Sequence, residues 1–149
     1  MYSINDLTCI NETIMPLKVL ADKERKAIYG LSGELYTPHI DTYMANCIKR
    51  AIILRDLKRS KLIPFTDVEI IIDKLMVLFK KAKINEVVEH LGENYECRFL
   101  PIKLSKSGNI VRKWAKYWLR KKADGSIDAE WEAQVREIWP EYFVVKFKN

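Results

Sequence analysis

The stretch Val111-Arg-Lys-Trp-Ala-Lys-Tyr-Trp-Leu-Arg-Lys-Lys122 decides how the C-terminal part of this chain is read. Stepped at about 100° per residue, Val111, Trp114, Ala115 and Trp118 fall on one face, with Leu119 on its flank. Arg112, Lys113, Lys116 and Arg120 cluster on the opposite face, and Tyr117 lies at the border beside Lys113 and Lys121. The spacing predicts an amphipathic helix over Ile110–Lys122 that buries two indoles and presents a row of cations.

The helix sits inside a longer acid-free segment. From Arg98 to Lys122 there are nine basic residues and no Asp or Glu (Arg98, Lys103, Lys106, Arg112, Lys113, Lys116, Arg120, Lys121 and Lys122). An ordinary surface helix mixes signs and gains i,i+4 pairs, so a one-sign segment suits a polyanion. Cations one turn apart each neutralise a phosphate, and counterion release drives the binding. Tyr117 would stack on an unpaired base or lie against a sugar. Two blander readings stand beside this one. The face can be simply solvated, or the acidic segment Asp124–Glu141 can fold across it and neutralise it.

Charge is segregated along the whole chain, whose net charge is +6. The +9 segment is followed by −5 over Ala123–Glu141, and a second basic block of +5 runs from Lys49 to Leu62. Within that block Arg55, Lys58 and Arg59 extend the phosphate-binding set if the fold brings them near. Their alternative role is to complement the negative end of their own helix.

At 149 residues with 48% hydrophobic side chains, the chain buries enough surface to fold without metal or disulfide. Cys9, Cys47 and Cys97 are far apart and form no Cys-x-x-Cys pair, which speaks against the usual zinc or redox sites. Free thiols, no basic start followed by an apolar run at Met1–Asp6, and an apolar stretch at Val68–Phe79 broken by Glu69, Asp73 and Lys74 lead to an expected cytoplasmic protein without a membrane span.

No diagnostic catalytic motif is present. His39 and His90 lack ligand-spaced partners. Asp67, Glu69 and Asp73 resemble a metal-binding carboxylate cluster less than the acidic first turn of a helix. Ser105-Lys106-Ser107-Gly108 lacks phosphate-loop spacing, and Cys97 beside Arg98 has no nearby histidine. No metal, cofactor or catalytic residue is therefore expected.

Working outward, Ser3 caps a short helix to Ile14, and a second begins with Pro16 in its first turn and stops at Gly30. Thr37-Pro38 starts a helix to about Arg59. Thr66-Asp67-Val68-Glu69 is a capping box opening a helix closed by Lys80, Lys81 and Lys83. A short helix Asn85–Leu91 ends at Gly92. Tyr95–Leu104 reads as a strand with Pro101 at an edge or bulge. Ser126 or Asp128 caps a helix to Trp139, and Tyr142–Lys148 alternates as a half-buried strand able to pair with Tyr95–Leu104.

The expected fold class is α+β: a mostly helical N-terminal part, residues 1–92, and a smaller part, residues 93–149, with an antiparallel strand pair and two helices. The expected function is non-enzymatic nucleic-acid binding, to DNA or RNA, through Arg112, Lys113, Lys116, Tyr117, Arg120 and Lys121, extended by Arg55, Lys58 and Arg59. The alternative is a small protein-binding adaptor or inhibitor that docks on a larger nucleic-acid-processing, nucleic-acid-bound complex, covering an acidic surface or competing for a nucleic-acid channel with its acidic segment Asp124–Glu141.

Overall fold

Ser3 opens the first helix with a reciprocal cap. Its hydroxyl accepts from Asp6 N at 3.2 Å, and the Asp6 carboxylate accepts from Ser3 N at 2.7 Å. In the computed structural model, which describes residues 1–144 and 146–147, this helix (α1) runs without interruption over Ile4–Ile28. The expected break at Pro16 does not occur. The proline removes one internal hydrogen bond, but Ile10 before it and Ala21 after it are both buried, and packing on the next helix holds α1 across the defect.

Helix α2, Pro38–Arg59, begins where expected, with Pro38 in its first turn. Thr37 does not cap it. The Glu24 carboxylate accepts from His39 N at 3.2 Å and Ile40 N at 3.0 Å instead, placing negative charge at the positive helix end. Asn11 accepts from Arg50 Nε at 2.6 Å, and Asp56 from Tyr2 N at 2.8 Å. These bonds fix the α1–α2 hairpin around Ile10, Ile53 and Leu57.

The chain divides into two compact units, Met1–Pro64 and Phe65–Asn149. The division falls after Pro64 and not at the expected seam near Gly92. In the second unit Thr66 and Glu69 form the expected capping box, and α3 spans Asp67–Leu78, stopping before the lysines expected to close it.

The expected helix Asn85–Leu91 is instead a strand, β1, Val87–His90. It pairs antiparallel with β2, Glu93–Leu104, through a two-residue turn at Leu91 (φ 51°) and Gly92 (φ 82°). Positive φ at both turn residues is the geometry that matches strand twist, so Gly92 serves a hairpin and not a helix cap.

The larger correction concerns Val111–Lys122. Val111–Lys121 is a strand, β3, antiparallel to β2. Ala115, Tyr117, Trp118 and Leu119 are all buried. Adjacent residues buried together require cover on both faces of a strand, and no single helix face supplies it. Phe79 packs on Trp118 at 6.1 Å, and Trp131 on Tyr95 at 5.4 Å. Tyr117 meets Phe143 edge-on at 5.6 Å.

Helix α4, Ala129–Ile138, is capped by Asp128, which accepts from Glu130 N at 3.1 Å and Trp131 N at 3.2 Å. Pro140–Phe143 then forms a 3₁₀ turn where a strand was expected. Lys146–Phe147 (β4) joins the sheet, parallel to β2 at Lys103 and Leu104. The remainder of the expected strand, Val145 and Lys148, lies outside the described residues. The class is α+β, but the sheet has β1 and β3 flanking β2 in place of a lone strand pair, and one α-helix follows Gly92 in place of two. Among the described residues no helix is long and apolar enough to cross a membrane.

Candidate nucleic-acid interface

The strand reading redistributes the cations. Lys116 turns inward: its amine donates to Phe79 O at 3.0 Å and Lys80 O at 3.2 Å. These are carbonyls at the C-terminal end of α3, where a cation offsets the helix dipole. The same amine lies 5.6 Å from the Trp118 ring centre. Arg120 is held by Asp128, Nη2 to Oδ2 at 2.8 Å, with its guanidinium 5.0 Å from the Trp131 ring centre. That bond, and then the Trp131 N–H, keep the Asp128 carboxyl below its ordinary range, and the same Asp128 bond raises Arg120. Glu96 takes both Arg98 and, at 3.6 Å, Lys121. Tyr117 is 6% exposed, so it offers no stacking surface, and burial pushes its phenol up.

Four of the nominated side chains, Lys116, Tyr117, Arg120 and Lys121, are therefore spent inside the second unit. The acidic segment neutralises part of the basic one through Asp128, which holds Arg120. Glu96, which lies just before the basic segment, takes two more cations. Arg55, Lys58 and Arg59 belong to the first unit on α2, where Lys58 is buried, Arg55 half-buried and Arg59 exposed.

What remains is the far end of the β2–β3 hairpin. Burial along β3 stops at Ala115, and Arg112, Lys113 and Trp114 are exposed. Lys103 and Lys106 are exposed on the other strand and in the loop. Lys103 stands directly opposite Lys113 in the strand register. Among the described residues none of Lys103, Lys106, Arg112 and Lys113 forms an ion pair. Lys122 is also exposed, at the opposite end of β3.

Local chemistry builds this end. The register slips on both sides of Lys103, so that Ile102 and Arg112 are not matched across the β2–β3 pair. Pro101, with no N–H to give, sits at the first slip, and bulges of this kind re-aim neighbouring side chains. The loop is closed by Ser105 N to Ile110 O at 2.8 Å and Gly108 N to Ser105 O at 2.9 Å, with Gly108 at φ 77°. Ser105 Oγ accepts from Ile110 N at 3.3 Å and shares a hydrogen bond with Ser107 Oγ at 3.1 Å. The segment Ser105–Gly108 leads into a strand, so it holds no helix N-terminus for a phosphate.

The outer edge of β3 is covered only in part. Asp128 N donates to Arg120 O at 2.9 Å, Lys122 N to Ser126 O at 2.8 Å, and the Trp131 indole N–H to Trp118 O at 2.9 Å. Those bonds protect the edge from Trp118 onward. The alternation of main-chain direction turns Lys116 and Trp114 to the same outer side, where no described strand pairs with them.

The helical reading placed Trp114 in the core and Tyr117 at the surface; the strand inverts both. The signal that finds Trp114 is period two: it shares a strand face with Trp118 but lies beyond the reach of the helices that bury Trp118. Lys103 and Lys106 belong to the same basic segment, but their place beside Arg112 and Lys113 depends on the hairpin register, which the sequence does not display.

No family model matches this chain, and no curated protein or solved structure matches it.

Proposed function

We propose that this chain is a non-enzymatic nucleic-acid-binding accessory protein that meets the phosphate backbone with the far end of its β2–β3 hairpin. The observation that carries the reading is the placement of Lys103 directly opposite Lys113, with Lys106 and Arg112 nearby and, among the described residues, no carboxylate paired to any of the four. Like charges facing each other across a strand pair cost stability. Elsewhere in the same segment Arg98, Lys121 and Arg120 are matched to Glu96 and Asp128. Cations paired in one region and left opposed in another support the reading that the opposed set receives an anion from outside.

The contact is to the backbone and not to base edges. Three of the four groups are lysines, which act as mobile point charges without the fixed fork that reads guanine. Recognition is accordingly independent of sequence. The adaptor reading is weaker, because the acidic segment spends Asp128 on Arg120 and the α4 cap, and Asp124 on Ser126.

The test is titration of a labelled oligonucleotide at several salt concentrations. Four phosphate contacts give a log–log slope of about −3 to −4 on duplex, and about −3 on a single strand. Absence of binding at low salt overturns the proposal.

A further inference from the structure

We infer that the preferred ligand is single-stranded nucleic acid, with Trp114 as the stacking group for an unpaired base. The inference rests on the phosphate-binding reading above and deepens it.

The four tryptophans are treated very differently. Trp118 is 0% exposed and Trp131 3%, and Trp139 lies parallel to Tyr142 with ring centres 6.0 Å apart. Trp114 is 54% exposed. An indole is among the largest apolar groups a chain can bury, so leaving this one in water forgoes a stabilisation that the fold takes elsewhere. It stands immediately after Arg112 and Lys113, at the point where burial of β3 ends.

Geometry favours one strand over two. Trp114 registers with Pro101, and Lys113 with Lys103. Adjacent strand residues alternate faces, so Trp114 and Lys113 flank, from opposite sides, the outer edge of β3 where no described strand pairs. A single strand laid along that edge directs its phosphates to the lysine side and its bases to the indole side. The outward main-chain groups of Trp114 and Lys116 lie between, where backbone N–H groups contact sugar and phosphate. In a duplex the base faces are covered by their neighbours, so the same edge gains phosphate contacts and nothing from the indole. Stacking is indifferent to base identity, in keeping with sequence-independent contact.

The experiment measures binding of a mixed-sequence single strand, and of the duplex containing it, to the wild-type chain, Trp114→Ala and Trp114→Phe at one low salt concentration. Trp114 is exposed, so thermal melting of both variants should match the wild type. The expected result is tighter binding of the single strand, a loss of at least about fivefold on it for Trp114→Ala, less than twofold change on the duplex, and substantial recovery in Trp114→Phe. If the wild type binds both ligands equally, or Trp114→Ala changes neither or both alike, the single-strand inference fails and the phosphate-binding reading survives. If the wild type binds neither ligand, both fail together.

Discussion

Trp118→Ala should lower the stability of the Phe65–Asn149 unit by about 3–5 kcal/mol, the range for emptying a large aromatic site in a packed core. Trp118 is fully buried, packs against Phe79 and lies under the Lys116 amine. Its carbonyl receives the Trp131 indole N–H at 2.9 Å, so its loss also loosens the anchor that covers the β3 edge. Among the described residues the Trp118 indole N–H is buried without a hydrogen-bond partner. Trp118→Phe, which removes that orphan donor and keeps most of the aromatic volume, should cost clearly less than Trp118→Ala. All four tryptophans lie in this unit, so denaturant unfolding followed by intrinsic fluorescence reports it selectively. A loss below about 1 kcal/mol for Trp118→Ala would remove β3 from the core and, with it, the strand assignment on which the site depends.

The second large effect concerns binding. Replacing Lys103, Lys106, Arg112 and Lys113 together by alanine should weaken oligonucleotide binding at low salt by about a thousandfold, and the salt slope should shrink by about 3. All four side chains are exposed, and the facing pair Lys103 and Lys113 repels, so the variant should fold with stability unchanged or slightly raised. That combination separates a binding site from a structural one. Comparable loss of binding and of stability would mean that the hairpin end is held together by these residues. Unchanged affinity with an unchanged slope would mean that the phosphates are met elsewhere.

Much of the helical framework was legible because its signals are local. Ser3, Pro38, the Thr66–Glu69 box and Asp128 mark helix starts through bonds made within one turn. Val111–Lys122 was not legible in the same way. Val111, Trp114, Ala115 and Trp118 satisfy i, i+3, i+4, i+7, while Ala115, Tyr117 and Leu119 satisfy alternation, and periodicity alone does not choose between them. The choice is made by β2, which is distant in sequence, and by α3 and α4, which bury both faces of the strand. Val87–His90 was lost for a related reason, since four residues are too few to show a period.

The candidate site was half legible for the same cause. The acid-free run correctly marked an unusual concentration of charge. Which cations are spent depends on Glu96 reaching Arg98 and Lys121, on Asp128 reaching Arg120, and on the end of α3 meeting Lys116. Of the expected set, Arg112 and Lys113 stand at the hairpin end. Lys103, Lys106 and Trp114 join them through strand register.

Lysine footprinting by mass spectrometry, with and without a saturating single-stranded oligonucleotide at low salt, tests this placement most directly. Protection should concentrate on Lys103, Lys106 and Lys113, with Lys116, Lys122 and the α2 lysines Lys49 and Lys58 unchanged between the two states. Protection centred on Lys49, Lys58 and Lys61, or spread evenly over the chain, would contradict the account.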